Sequence, residues 1–276
     1  MLVRETGNNF SDRFFDNGNI ASFTQQLLRP DIAFVIKLAV ATLGKFYAKP
    51  FGHGKAGQAN VRATPSAQHQ TEVKMKLYFV RHGQSEANIK HVFSNQGLKH
   101  PLTETGRRQT EDLATKLSKE AFDHIITSPI LRAIETTQLL AKRLNHESYE
   151  VNELLREYSV GILEGKKDRY SWDLFFDVQR LWEDEKNENT RIPGGESLCE
   201  IQWRVRRFLG ALSKKEYERV LIIGHGGLYC VGLPGVVKNL CYSFTNKNCI
   251  DNTDVIIVEE KNGVYTCLKW GKVEQF

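Results

Sequence analysis

What the 276-residue chain lacks narrows its class before any motif is read. No Lys/Arg run carries interleaved aromatics, and a net charge of +5 with a pI near 8.8 is too dispersed to mark a nucleic-acid surface. A mild cationic excess suits anionic ligands without specifying one. Cysteine is scarce and unpaired in spacing: Cys199, Cys230, Cys241, Cys249 and Cys267 lie in the last third, odd in number and without a CxxC pair. That pattern argues against structural zinc or a disulfide framework and for a reducing compartment. Long apolar runs are also missing. The best stretch near the N-terminus, Ile32 to Gly44, is broken by Lys37 and falls short of the roughly 20 apolar residues that a spanning helix needs. Glu5, Asp12 and Asp16 precede it where a signal peptide would carry basic residues. Residues 1–48 are therefore expected to form a partly helical extension of a cytoplasmic protein, with organelle targeting or membrane anchoring left open.

Residues 49–74 hold three glycines and two prolines and almost no large apolar side chain, as a flexible linker would. Their Gly-His-Gly-Lys lacks the preceding strand and following helix that a phosphate-binding loop requires. From residue 75 to 276 the pattern is that of one α/β domain. Short apolar runs at Lys76–Val80, His124–Thr127, Arg219–Ile223 and Asp254–Glu260 read as strands, the last as the final one. Between them, a helix is expected from about Thr103, and another after Ser128 as cap with Pro129 in its first turn. A third covers the aromatic-rich segment Arg169 to Asn187, and a fourth opens on a Ser197/Glu200 capping box with Leu198, Ile201, Val205, Phe208, Leu209 and Leu212 inward. Trp172, Phe175, Phe176 and Trp182 are expected as a core-facing stripe, with a substrate-flanking role as the alternative. Strands alternating with helices predict a mostly parallel central sheet flanked by helices on both faces.

Ligands of such sheets sit at the carboxyl ends of the strands, and two strands here end in histidine followed by glycine: His82-Gly83 and His225-Gly226. One His-Gly pair alone is more often structural, but two at equivalent strand ends point to a single shared site. Arg81 adds a planar cation for phosphate oxygens, and glycine permits close backbone approach to a compact anion. Arg132 arrives on the first turns of a helix, where the backbone already favours anions. An acid able to protonate a leaving oxygen is available from Glu157 or Glu164.

The segment "VRHGQSEAN" resembles the Arg-His-Gly signature of the histidine phosphatase, or phosphoglycerate-mutase-like, superfamily. "TSPILRAIETT", "LLREYSVGILEG", "PGGES" and "IIGHGG" resemble its later motifs in the same order. The resemblance spans Lys76 to the C-terminus and implies a phosphoglycerate-mutase-like fold with no metal or other cofactor. It implies His82 as the nucleophile that becomes phosphohistidine, with Arg81, Arg132 and His225, assisted by Gly226, around the phosphate. It selects Glu157 over Glu164 as acid/base, and it places Asn88, Gln96 and Gly97 among the substrate-binding residues. The short stretch from Gly165 to Pro193, the early end after the last strand and "PGGES" are more similar to phosphatases than to mutases of the family. Hydrolysis of a small phosphorylated metabolite is the expectation, with a phosphoprotein substrate open. The alternatives are mutase-type phosphoryl transfer and a non-catalytic scaffold, the latter expected to have lost a catalytic side chain that this chain retains.

Overall fold

Apolar runs that read as strands buried on both faces occupy the centre of a single sheet. The computed structural model describes residues 75–184 and 187–273, so the expectations for the extension (1–48) and the linker (49–74) fall outside the described residues. The strands are β1 (Met75–Arg81), β2 (His124–Thr127), β3 (Glu150–Val151), β4 (Arg219–Gly224), β5 (Val255–Lys261) and β6 (Val264–Trp270). They form one six-stranded sheet in the order β3-β2-β4-β1-β5-β6. The pairs β3/β2, β2/β4 and β4/β1 are parallel, and β5 and β6 add an antiparallel edge, so the sheet is mostly parallel as expected. Strand alternation divides the core. Leu77, Phe79, Val220 and Ile222 face one layer, whereas Tyr78, Val80, Leu221 and Ile223 face the other.

The helices are α1 (Glu86–Lys90), α2 (Glu104–Leu117), α3 (Leu131–Arg143), α4 (Arg169–Leu181), α5 (Leu198–Leu212), α6 (Gly226–Gly232) and α7 (Tyr242–Lys247). Leu113 and Leu117 of α2 and Leu140 of α3 cover one face of the sheet; Ile201, Val205 and Leu209 of α5 and Leu228 of α6 cover the other. The α5 capping box forms as expected: Ser197 N donates to Glu200 Oε2 at 3.0 Å, and Glu200 N donates to Ser197 Oγ at 3.3 Å. All six residues of its apolar face are buried. Full burial of each such side chain contributes about 1.5–3 kcal/mol.

Three expectations need correction. The final strand is β6, which follows β5 through Asn262 (φ 52°) and Gly263 (φ 80°), a two-residue turn of the kind that left-handed Asn-Gly closes well. Ser128 does not cap α3; Ile130 occupies that position, because the Ser128 hydroxyl turns towards His225 instead. The aromatic stripe is only partly core: Trp182 is buried, whereas Trp172 and Phe175 are half-buried beside Phe93, and Phe176 lies against Trp172.

The turn after β1 is pressed onto the start of α2. A Cβ on Gly106 would lie 2.0 Å from the Gln84 carbonyl oxygen, and one on Gly83 would lie 2.5 Å from the Gly106 carbonyl oxygen. Backbone faces backbone here, so neither glycine has a flexible neighbour that could yield. Gly106→Ala is expected to destabilise the fold by about 1–3 kcal/mol, lowering Tm by several degrees in thermal denaturation. An unchanged Tm would contradict this packing.

Candidate active site

Parallel pairing places the two His-Gly segments side by side. β1 and β4 run in register to Arg81 opposite Gly224, and His82 N donates to the Gly224 carbonyl at 3.0 Å. The next residue of each strand is therefore a histidine at the same edge. The His82 and His225 rings lie 5.2 Å apart, centre to centre, and both side chains are buried. β2 ends beside them, with Ser128 N donating to the Ile223 carbonyl at 2.9 Å.

A hydrogen bond fixes the state of the His82 ring. His82 Nδ1 lies 2.7 Å from the Gly83 carbonyl, which can only accept, so Nδ1 carries the proton and Nε2 keeps its lone pair. Arg132 Nε donates to that Nε2 at 2.9 Å, and its Nη1 donates to the Ser94 carbonyl at 2.7 Å. His225 Nε2 meets Ser128 Oγ at 2.7 Å. Ser128 Oγ also accepts from Ile130 N at 3.3 Å. His225 Nδ1 is buried with no hydrogen-bond partner among the described residues. With the ring proton on Nδ1, an anion oxygen would satisfy it. Arg81 Nη1 donates to the Ile250 carbonyl at 2.6 Å, which leaves the rest of its planar fork for a ligand.

Charge in this cluster is lopsided. Burial, then Arg132, hold both imidazoles well below their ordinary pKa, with Arg81 acting in the same direction on each. Burial also pulls Arg132 down to about 10. Glu157 is the adjoining carboxylate, accepting from Gly227 N at 3.1 Å and Tyr158 N at 3.1 Å. Its burial pushes the carboxyl above the ordinary range, while Arg132 and the backbone donors oppose the rise. Behind it, Arg204 donates to the carbonyls of Leu154 and Arg156, both at 2.7 Å, and pairs with Glu196, so the segment carrying Glu157 is held from below.

The structure thus brings together Arg81, His82, Arg132, Glu157 and His225. Glu164 instead accepts from Asn95 N at 3.0 Å. Asn88 closes a capping box on α1, accepting from Ser85 N at 3.0 Å, and touches the cluster only through Asn252, whose amide donates to the His82 carbonyl at 2.9 Å. Gln96 and Gly97 are exposed, and no hydrogen bond from either to the cluster occurs among the described residues. The glycines also make room for side chains of the cluster itself. The missing side chain of Gly226 makes room for Arg81, whose Cδ would lie 3.1 Å from a Cβ there; that of Gly227 makes room for the Glu157 carboxylate at 2.9 Å. They admit functional side chains as much as a ligand. Ser128 and Asn252 carried no functional signal in the sequence: a serine before proline reads as a helix cap, and an asparagine among Asp251, Thr253 and Asp254 reads as a turn.

Residues 77–273 match the histidine phosphatase superfamily, branch 1. The chain belongs to this superfamily and is an enzyme of that family. Among its relatives, Phosphoserine phosphatase 1 of Hydrogenobacter thermophilus is 32% identical over 196 residues, covering 69% of this chain and 90% of that protein. A protein named probable phosphoglycerate mutase GpmB, from Photorhabdus laumondii, is 33% identical over 156 residues, covering 55% and 70%. Among solved structures, mycobacterial glucosyl-3-phosphoglycerate phosphatase in complex with VO3 has a TM-score of 0.61 at 25% identity, covering 72% of this chain and all of that one. The phosphoglycerate-mutase-like fold expected from the motifs is the one observed. Among the described residues no helix is long and apolar enough to cross a membrane.

Two buried imidazoles kept neutral in this family member have a consequence for stability. In the unfolded chain they take up protons below their ordinary value of 6.5, whereas the folded pocket resists protonation. The unfolded state then binds more protons, so stability falls as pH drops below that value. Glu157 has the opposite sign: its raised pKa favours the folded state at low pH and is lost as pH rises. In buffer free of oxyanions, Tm is expected to fall between about pH 7 and pH 5.5. His225→Asn should flatten that slope; an equally steep slope in the variant would show that other groups cause it.

Proposed function

We propose that this enzyme is a phosphomonoester hydrolase that works through a phosphohistidine on Nε2 of His82 and needs no metal. The observation that carries the proposal is the fixed tautomer of His82: Nδ1 is committed to the Gly83 carbonyl, and Nε2 presents its lone pair beside the Arg132 guanidinium. On substrate binding, Arg132 Nε transfers its hydrogen bond from Nε2 to a phosphate oxygen. The same cation that shields the nucleophile when the pocket is free then stabilises charge on phosphorus oxygens during attack. Arg81 and His225, with its ring proton on Nδ1, are proposed to hold the remaining oxygens.

The Nε2 lone pair attacks phosphorus in line, the ester P–O bond breaks, and the departing oxygen takes its proton from Glu157. In the second half, ionised Glu157 removes a proton from water. The water oxygen attacks phosphorus, and the N–P bond electrons return to Nε2 as phosphate leaves. A carboxyl raised by burial but restrained by Arg132 and backbone donors suits both duties. The two guanidiniums supply the positive charge that magnesium provides in other phosphoryl-transfer sites, and the neutral His225 imidazole adds a hydrogen bond.

The substrate is proposed to be a small phosphorylated metabolite, in keeping with relatives named for phosphoserine and glucosyl-3-phosphoglycerate. The vanadate complex of the mycobacterial phosphatase supports a pocket suited to five-coordinate phosphorus. Gln96 and Gly97, on the exposed loop after Phe93, would meet the substrate body and not the phosphate. A phosphoprotein substrate and transfer to a second hydroxyl remain as outcomes of the assay.

Turnover of p-nitrophenyl phosphate in EDTA is expected for the wild type, and His82→Ala should lower it by about 10³-fold or more. Full activity in that variant would overturn the phosphohistidine route. Glu157→Gln separates acid catalysis from binding. Because p-nitrophenolate departs without a proton, its burst in the first half-reaction should change little although the later hydrolysis of the phosphohistidine slows, while phosphorylation of His82 by alkyl phosphates should slow by about 10²–10⁴-fold. Equal losses in that first half-reaction on both substrates would remove Glu157 from the acid role.

A further inference from the structure

The carboxylate that the proposed mechanism leaves unused stands one peptide away from the cation beside His82. Glu164 lies seven residues beyond Glu157 and is half-buried. Its Oε2 accepts from Asn95 N at 3.0 Å. The carbonyl of the same peptide unit belongs to Ser94 and accepts from Arg132 Nη1 at 2.7 Å. In a trans peptide the N–H and C=O point in opposite directions, so the carboxylate meets the positive end of this dipole and the guanidinium its negative end. Carboxylate, peptide and guanidinium thus form one chain of charge-assisted hydrogen bonds, in which each bond polarises the next.

Its surroundings hold this peptide in place. Phe93 N donates to the Lys166 carbonyl at 2.9 Å, and Gly165 N returns a bond to the Phe93 carbonyl at 2.8 Å. Asn95 Nδ2 donates at 2.8 Å to the carbonyl of Tyr158, the neighbour of Glu157. From the far side of the loop, His100 Nδ1 meets the hydroxyl of buried Ser94 at 2.8 Å. The segment that carries Glu157 and Glu164 therefore grips residues 93–95 through backbone and side chain, and those residues in turn orient Arg132. Charge acts along the same line. Burial lowers the pKa of Arg132, and attraction from Glu157 and then Glu164 opposes it.

We propose that Glu164 is a positioning residue: acting through the Ser94–Asn95 peptide, it aims the Arg132 guanidinium at the phosphoryl group on its way to His82. The inference rests on the hydrolase reading, in which Arg132 Nε leaves the His82 ring for a phosphate oxygen. During that exchange the Nη1 bond to the Ser94 carbonyl persists, so it sets the direction in which the rest of the planar fork points. Glu164 touches neither the substrate nor the reacting atoms, and no bond or proton changes hands there. Its effect falls on the transition state, where charge on the phosphorus oxygens must be matched by the guanidinium, more than on ground-state binding.

The test is Glu164→Gln in the full-length chain, which keeps an oxygen for Asn95 N and removes the charge. Its kcat/KM on p-nitrophenyl phosphate should fall about tenfold, less than the about 10²–10³-fold that follows loss of an electrostatic donor itself. Orthovanadate, which mimics five-coordinate phosphorus, should bind more weakly by a similar factor, and inorganic phosphate by much less. The Arg132 Nε–H resonance should shift in the NMR spectrum of the ligand-free protein. Glu153→Gln, which removes an exposed carboxylate from the same segment, should leave every one of these readings unchanged. Unaltered kcat/KM and vanadate affinity in Glu164→Gln, an equal loss in Glu153→Gln, or equal weakening of phosphate and vanadate would each overturn the proposal. If the wild type turns over no phosphate ester, that counts against the hydrolase, and vanadate affinity with the Arg132 resonance then decides the positioning role.

Discussion

Positive charge buried without a matching carboxylate is the constraint on which the pocket depends. Arg132 is only 4% exposed, yet its direct partners are a neutral imidazole nitrogen and a backbone carbonyl. Arg81 likewise leans on a carbonyl. Removing a guanidinium from water costs several kcal/mol unless an anion compensates it, and among the described residues Glu157 and Glu164 attract Arg132 without a direct ion pair. On the proposed function, the fold carries this cost at its sheet edge and recovers it when a dianionic phosphate enters. Burial first, and then repulsion from the two guanidiniums, likewise disfavours a third cation at His82.

Much of this was legible in the chain itself because charge and strand ends leave local marks. Arg81, His82 and His225 could be placed at one edge from two short apolar runs, and the parallel register confirms why that works: Arg81 and Gly224 are opposite each other. The Asn262-Gly263 turn, and with it the antiparallel β6, leaves an equally local mark in the sequence. Ser128 and Asn252 are different. Their roles depend on which strand ends lie next to each other, and no local pattern encodes that. The glycines teach the same lesson in reverse. Their small size was visible, but the partner that needs the space is Arg81 at Gly226, Glu157 at Gly227 and the α2 backbone at Gly83.

The loop carrying Ile250 and Asn252 links parts of the molecule that sequence distance keeps apart. It holds Arg81 through one carbonyl and the His82 backbone through one amide, and its position depends on contacts with β6, where Trp270 Nε1 donates to the Asn248 carbonyl at 2.7 Å. The antiparallel edge therefore serves as the outer wall of the anion site.

Glu157 completes the electrostatic logic. In the free pocket it is the adjoining carboxylate among cations, and burial and attraction to Arg132 pull its proton affinity in opposite directions, with burial the larger. In the proposed mechanism a bound phosphate adds negative charge and occupies the guanidinium that favours ionisation. Both changes would strengthen the hold of Glu157 on its proton, so that substrate binding itself prepares the acid. When the leaving group departs with that proton, the carboxylate would be left beside a phosphoryl group on His82, where an ionised base is what an incoming water requires. One carboxyl would thus serve both proposed half-reactions because its surroundings change charge between them.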